Sequence, residues 1–539
     1  MMLGPRRVAA AFVALAGVLA AGACAHMRTA QREPVVTRFE VSGSGAAQYS
    51  TSPEGAAALR GPHASRVAEG LARVAAKPPL TPDGRLGELA ERIARTLDAQ
   101  GSPPPYAAID LWARHLGLFE PAPHLLVLAQ SDAARLPERV QTELEHMLAQ
   151  QRYTHYGAAT LERDGTVFCV LALSWRWASL HPVPRTLEPG HAIDVEGELQ
   201  SGLHGAQLVV SLPDGTSYRS EQQQGPRLSL HAPTRAPGEY RVELLASSDL
   251  GETVVANFPV YVGVAPATYV DVAREDASVQ LGETQAAERL LELTNRDRAH
   301  AGLAALSRNE RLERVARAHS LDMQANNFIG HTSKTTGDAA DRVQRAGIRT
   351  TLVLENIGRG YSPDEVHRGL MDSPGHRANV LAPEATDVGI GVVAAPEDQR
   401  TAYVVTELFA RFARKIDPEQ ATDDLYARVN RERTRRGLRA LEQDDNMSEL
   451  CVETARRFFT EPHAGQQALL EQLNGEAGQK RLPYRRLGAL MAAVSGIDEA
   501  VTIEALLDPN ARALGLGLAQ GTRPDTIDNA IAVVALIGY

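Results

Sequence analysis

Asn327-Phe-Ile-Gly-His331-Thr-Ser, Glu355-Asn356-Ile357-Gly358, Asp372-Ser-Pro-Gly-His376-Arg-Ala-Asn-Val-Leu381 and Val388-Gly-Ile-Gly391 follow one another in the middle of this 539-residue chain. The first run ends a helical pattern. Leu312, Val315, Ala316, His319 and Met323 recur at i, i+3, i+4, i+7 and i+11, which places one buried stripe on an amphipathic helix. The last run opens a β-hairpin. Val388-Gly-Ile-Gly-Val-Val leads through a polar turn to Tyr403-Val-Val-Thr-Glu-Leu-Phe409. Glycine at the start of a strand rich in β-branched residues suits close backbone approach. Two histidines and several acids therefore lie between a helix and a hairpin.

The helical spacing recurs at Met447, Leu450, Cys451, Thr454 and Phe458, and at Leu86, Leu89, Ala90, Ile93 and Leu97. Any amphipathic helix gives one such match, so the surroundings decide. Asn295-Arg-Asp-Arg…Gly302-Leu303…Leu306 parallels Asn430-Arg-Glu-Arg…Gly437-Leu438…Leu441 in the same register. Hairpin patterns follow in each case. One is Leu514-Gly-Leu-Gly-Leu with Ala530-Ile-Ala-Val-Val-Ala-Leu, the other Tyr156-Gly-Ala-Ala-Thr with Val167-Phe-Cys-Val-Leu-Ala-Leu. The repetition predicts three related α/β units, at 66–178, 285–413 and 420–539. From 181 to 265 no helical period appears. Ala206-Gln-Leu-Val-Val-Ser-Leu and Tyr240-Arg-Val-Glu-Leu-Leu alternate with the turn signals Pro213-Asp-Gly215 and Pro237-Gly238. This predicts a small antiparallel β-sandwich of immunoglobulin-like size that spaces or presents the other units.

The N-terminus sets the compartment. Arg6 and Arg7 precede an apolar run from Val8 to Ala21, too short to cross a bilayer as a helix. Residues 1–23 read as a secretory signal peptide. Ala21-Gly22-Ala23-Cys24 reads two ways. Ala-x-Ala suits ordinary cleavage and free secretion. Small residues before a cysteine also resemble a bacterial lipobox, with Ala21 where Leu is usual, and this reading makes Cys24 a lipid anchor. Residues 24–65, rich in Gly, Ser, Ala and Pro, read as a linker. Cys169 and Cys451 fall in apolar patterns of different segments and read as buried thiols. The net charge of −10 argues against nucleic acid as a partner, because phosphate binding needs a basic face.

The four central motifs, in this order and spacing, resemble the CAP superfamily (cysteine-rich secretory proteins, antigen 5, pathogenesis-related proteins) in its disulfide-free bacterial form. The resemblance implies an α-β-α sandwich for 285–413, with degenerate CAP-like units on either side. It also implies an open cleft lined by two histidines and two acids. His331, Glu355 and His376 match three of these positions. Asp372 is the candidate for the fourth, with Glu407 and Glu365 as fallbacks. Leu370 stands where relatives often carry Trp. Neutral imidazoles are good ligands for a divalent ion such as zinc, and a nearby carboxylate fixes the tautomer. His331 and His376 are accordingly the candidate metal ligands, although no cofactor is required. Without metal, the cluster can bind polar headgroups or do acid–base work.

Bland readings stand beside these. Ser373 before Pro374 is a helix N-cap rather than a nucleophile. His319 lies on the apolar stripe and reads as a core residue. Asn295 and Arg296 recur in the tail unit, which lacks most of the cluster, and read as structural. His463 stands in for His331 if a short deletion is allowed. Asp508-Pro509-Asn510-Ala511-Arg512 holds no counterpart of His376. The residues favour binding over catalysis. Three functions remain open. One is an exported, envelope-bound binding module for a lipid, a wall component or a protein. The second is a metal-dependent hydrolase of envelope polymers or peptides, and the third is an architectural envelope protein without a ligand.

Overall fold

The computed structural model describes residues 36–51, 57–75, 79–121, 123–150, 152–248, 251–273, 280–397, 400–480 and 482–539. Residues 1–23, read above as a signal peptide, and Cys24 lie outside the described residues. Among the described residues, no helix is long and apolar enough to cross a membrane.

The central unit grows from the hairpin and the striped helix. Asn309 caps the helix Glu310–Ala325, its side chain accepting from the backbone N–H groups of Arg311 and Leu312. The buried residues of that helix include Leu312, Val315, Ala316, His319 and Met323, the stripe seen in the sequence. The sheet runs Ser307–Arg308, Asp387–Glu397, Arg400–Ala410, Val353–Gly360, with the first pair parallel and the others antiparallel. Strand alternation sends Val405 and Phe409 to one face, against the helices Glu283–His300 and Pro363–Asp372. Leu408 and Ala410 face the other way, against Glu310–Ala325 and Ala339–Arg345. The result is three layers, α-β-α. Gly389 and Gly391 let the helix backbone lie directly on the sheet. A Cβ there would sit 2.2 Å from Glu313 N and 2.1 Å from Arg317 N.

Two further sheets share this plan. At the C-terminus the order is Glu442–Gln443, Ala513–Gly521, Ala530–Gly538, Leu487–Val494. Near the N-terminus, Thr81–Pro82 pairs in parallel with His155–Arg163, which pairs with Thr166–Ser174 and then His124–Gln130. Leu59–Arg60 adds a second short parallel partner for His155–Arg163. In all three, the N-cap residue of the following helix donates its N–H to the hairpin: Asn309 to Val388 O (2.9 Å), Asp444 to Leu514 O (3.1 Å), Asp83 to Tyr156 O (2.8 Å). Gly515 and Gly517 press on the helix Asp445–Thr460, and Gly157 presses on Gly87, at matching register positions.

The recurrent Asn-Arg pattern also has matching bonds. Asn295 Nδ2 donates to Leu306 O (3.1 Å) and Asn295 Oδ1 accepts from Leu306 N (2.8 Å). Asn430 makes the same pair with Leu441 at 3.1 and 2.8 Å. Arg296 is another matter. Its side chain is 53% exposed and pairs only with the adjacent Asp297. The buried arginine of the motif is Arg298, matched by Arg433. Two residues apart on a helix are about 200° apart around its axis, so only Arg298 points into the protein.

Residues 178–262 form two facing sheets. One is Arg227–Ala232, Ile193–Leu199, Ala178–Leu180. The other is Thr186–Leu187, Gly251–Val262, Gly238–Ser248, His204–Ser211, Ser217–Arg219. The sheets are antiparallel except for Thr186–Leu187, which pairs in parallel with Tyr261–Val262. One apolar cluster fills the space between them and also takes in Tyr49 and Phe119.

Part of the segment read as a linker is built into the fold. Val36–Glu40 pairs with Tyr269–Ala273, and Gln48–Tyr49 pairs with Val183–Pro184. Tyr49 is fully buried and donates its hydroxyl to Pro259 O (2.7 Å). A few anchoring side chains suffice to order a stretch whose small and polar composition hides them.

Candidate functional site

His331 sits on a loop whose shape is fixed from below. The helix Glu310–Ala325 ends at Asn326, and Asn327 takes φ +51°, which turns the chain. Phe328 then packs with Met323, Ile357 and Val404. The buried His319 ring bonds through Nε2 to Gly330 O at 3.0 Å. His319 is thus a core residue that holds the loop beneath His331.

Glu355, on the strand Val353–Gly360, is the centre of the cluster. Its Oε1 accepts from His331 Nδ1 at 2.9 Å, and its Oε2 pairs with the Arg342 guanidinium. The side chains of Glu355 and Arg342 are only 4% and 5% exposed. Arg342 also donates to His331 O (3.1 Å) and Gly337 O (2.6 Å), so it ties down the loop as well as the acid. Burial raises the Glu355 pKa, but the His331 hydrogen bond and the His331 and Arg342 charges outweigh it and hold the carboxyl below its ordinary value. An ionised Glu355 makes Nδ1 of His331 the donor. In the neutral imidazole the lone pair is then on Nε2, which has no protein partner among the described residues.

His376 lies near the start of the short helix Pro374–Val380. Ser373 is the N-cap, its Oγ accepting from His376 N, with Pro374 in the first turn. The His376 ring is 6.1 Å from the His331 ring, centroid to centroid, with the planes 32° apart. No protein group bonds the His376 ring nitrogens among the described residues. Burial, then the neighbouring His331, hold His376 well below the usual histidine range, so it is neutral at physiological pH. Asn379 and Asn356 lock the helix to the strand. Asn379 Nδ2 donates to Glu355 O (3.0 Å) and Asn356 Oδ1 (3.0 Å), and Asn356 Nδ2 donates to His376 O (3.2 Å).

The structure therefore brings His331, Glu355 and His376 together. None of the three candidates for a fourth acid bonds an imidazole. Asp372 turns its carboxylate toward Arg241, 3.9 Å away. Glu365 accepts from Tyr361 N at the start of its own helix. Glu407 is fully buried beneath the cluster and accepts from Asn356 Nδ2 (3.1 Å), while its Oε1 has no partner among the described residues. Leu370 is buried in the helix-sheet core. Arg342 escaped the sequence reading, and Asn356 and Asn379, which stand within the quoted motifs, were given no role there. An arginine on a short helix looks like a solvent-facing residue until its carboxylate partner is known.

Burial pushes the Glu407 carboxyl up to about 7, against the Asn356 bond that lowers it. An acid with a raised folded pKa destabilises the native state once the unfolded chain ionises. Stability of the central unit should fall as pH rises from about 4.5 to about 7, by roughly 3 kcal/mol from this group. Glu407→Gln abolishes that slope. Hydrogen exchange of the strand Arg400–Ala410 should show a stability gain over wild type that is larger at pH 8 than at pH 5. A pH-independent difference would refute the assignment.

Register shows what the other two sheets carry at the same places. Leu125 and Ala489 occupy the position of Glu355, Leu126 and Leu490 that of Asn356, and Leu171 and Ala535 that of Glu407. His463 is exposed at the surface of the tail.

As a metal centre the cluster has two donors. Two imidazoles on one tetrahedral ion, with nitrogens at about 2.0–2.1 Å, have ring centroids about 5 Å apart, so the rings, 6.1 Å apart here, would have to close by roughly 1 Å to share it. Glu355 is engaged by His331 and Arg342. Among the described residues, no group of three His, Cys, Asp or Glu side chains is arranged to hold an ion. The residues fit a divalent ion only if water or a ligand completes its coordination.

Comparison with known proteins places the middle of the chain. Residues 291–409 match the family described as the cysteine-rich secretory protein family, CAP. The uncharacterized protein YkwD of Bacillus subtilis (strain 168) is 40% identical over 107 residues, which is 20% of this chain and 42% of that protein. The uncharacterized membrane protein YlbC of the same organism is 36% identical over 112 residues, 20% of this chain and 32% of that protein. The chain thus spans less than half the length of these relatives. Among solved structures, an extracellular protein containing a SCP domain from Bacillus anthracis str. Ames is 22% identical, covering 33% of this chain and 65% of that one, with a TM-score of 0.22.

Proposed function

Given that residues 291–409 are a CAP domain, we propose that the protein is an exported, envelope-bound binding module that takes its ligand at the His331–His376 cleft. One observation carries the reading: two imidazoles with unpartnered nitrogens stand side by side on a buried Glu355–Arg342 support. A polar network that served only packing would spend those nitrogens on protein partners. The ligand class is a lipid headgroup, a wall component or an envelope protein, each able to present hydrogen-bonding groups to the two imidazoles. The signal-like N-terminus and Cys24 support export and lipid anchoring, which mass spectrometry of the mature N-terminus tests. An unmodified Cys24 would refute the anchor.

The sheets at 81–174 and 442–538 are, in this reading, degenerate CAP-like units. Their shared strand order, matching cap bonds and apolar residues at the cluster positions support it. The two facing sheets of 178–262 are an immunoglobulin-like spacer. A second reading, a metal-dependent hydrolase of envelope polymers or peptides, draws on two adjacent imidazoles that each have a ring nitrogen without a protein partner among the described residues. There the histidines would hold the ion, and the ion would supply an activated water.

The test compares the full chain with a His331→Ala, His376→Ala double variant. Zinc content after dialysis, binding to anionic phospholipid vesicles and binding to soluble wall fragments are measured on both. Binding lost in the variant supports the module. Turnover of wall fragments or peptides, lost in the variant, would replace it with the hydrolase. Unchanged metal content and unchanged binding would leave an architectural protein.

A further inference from the structure

The hairpin of the sandwich, Gly238–Ser248 and Gly251–Val262, lies within its five-stranded sheet and touches both histidine-bearing segments. Glu243 is fully buried and sits at the N-terminus of the helix that carries His376. Its Oε1 accepts from Ser373 Oγ (2.6 Å) and its Oε2 from Gly375 N (2.8 Å). Asn257 Nδ2, on the second strand, donates to Asp372 O (3.3 Å). Arg241 lies 3.9 Å from the Asp372 carboxylate and 3.7 Å from Asp110 of the N-terminal unit. At the far end, Gly251 lies against the other histidine loop. A Cβ added there would be 2.8 Å from Thr332 Oγ1 and 3.4 Å from His331 Cβ.

The kind of contact differs on the two sides of the sandwich. Toward the N-terminal unit its apolar core is continuous, since Tyr49 and Phe119 belong to it. Toward the central unit, no hydrophobic cluster of the described residues contains members of both. The hairpin's own ties are polar, apart from Leu245 beside Gly375, and the strand His204–Ser211 also lies against Pro374–Val380. Polar ties exchange for water at small net cost, whereas a shared apolar core does not. Burial also pushes the Glu243 carboxyl up to about 7 despite its two donors, so docking works against ionisation of this acid.

We propose that this hairpin is a docked lid, which holds the His331–His376 cleft closed until Glu243 leaves Ser373 and Gly375. The sandwich and the N-terminal unit then move as one body against the CAP domain, and ligand access follows undocking. The idea rests on the cleft being a binding site, but its test does not use a ligand.

Carbethoxylation of individual histidines, read by peptide mass spectrometry on the full chain, reports cleft access. Glu243→Ala should raise the rates at His331 and His376 about fivefold or more. The exposed His181 and the buried His319 and His367 should keep their wild-type rates. Asn257→Ala removes one hydrogen bond and leaves no charge unpaired, so it should give a smaller rise at the same two residues. Unchanged rates at His331 and His376 in both variants overturn the lid. So does a rise that extends to His319 and His367, because the hairpin would then be a structural wall of the CAP domain. Loss of ligand binding in the double histidine variant bears only on the binding function, so the two ideas fail separately.

Discussion

Glu355→Ala is expected to destabilise the central unit by about 3–5 kcal/mol, because it leaves the buried Arg342 guanidinium without its counter-charge. The same change removes the acceptor of His331 Nδ1, and through Arg342 it loosens the loop from His331 to Gly337. Stability and site geometry can be separated. An Arg342→Met, Glu355→Leu pair deletes both charges, and apolar replacement of a buried ion pair is often neutral. The pair should recover most of the lost stability while His331 remains unoriented. Native-state hydrogen exchange across Val353–Gly360 is the measurement, since a chain of several units gives no single unfolding free energy. A cost below about 1 kcal/mol for Glu355→Ala would mean that water already reaches Arg342.

Arg298→Ala should have an effect of similar size from a different cause. Arg298 is fully buried and has no carboxylate partner among the described residues. Its guanidinium donates instead to backbone carbonyls: Nε to Ala304 O (2.8 Å), NH1 to Val380 O and Ala382 O (2.8 Å each), and NH2 to Ala385 O (3.4 Å). Val380 closes the helix that carries His376, so the arginine satisfies carbonyls that a helix end leaves free and meets the negative end of its dipole. Truncation strands several buried acceptors at about 1–3 kcal/mol each, roughly 3–5 kcal/mol after local relaxation. Arg433, bonded to Arg439 O, Leu506 O and Asp508 O, should behave alike in the tail. Hydrogen exchange should rise within 285–413 for Arg298→Ala and within 420–539 for Arg433→Ala. A rise spread evenly over both would show that the units are not separate cores.

The sequence was most legible where one period or one bond decides the structure. The buried stripe of Glu310–Ala325, the three hairpins and the Ser373 cap are local patterns, and the structure contains them. His331, Glu355 and His376 were found through motif order, and they meet. Partners brought from elsewhere were not legible. Arg342 and Glu243 look like ordinary surface residues until folding places Glu355 and Ser373 beside them. The Asn-Arg pattern offered two arginines, and only helical geometry tells that Arg298, not Arg296, is inside. Asp372 had the right neighbours in sequence, yet its side chain leaves toward Arg241. The described part of the presumed linker rests on scattered residues such as Tyr49, which no window average reveals.

The pairing of Val36–Glu40 with Tyr269–Ala273 fixes how far the rest of the chain can stand from whatever holds its N-terminal side. Val36 lies opposite Ala273 in an antiparallel ribbon, so the chain begins and ends the stretch 36–273 on adjacent strands, about 5 Å apart. Two whole units therefore add bulk but almost no reach. A pull applied between the residue before Val36 and the residue after Ala273 would open the ribbon pair by pair, as a zipper, starting from that end. Tyr269–Ala273, which leads toward the central unit, therefore lies back beside Val36–Glu40 rather than at the far end of a rod built from the two units.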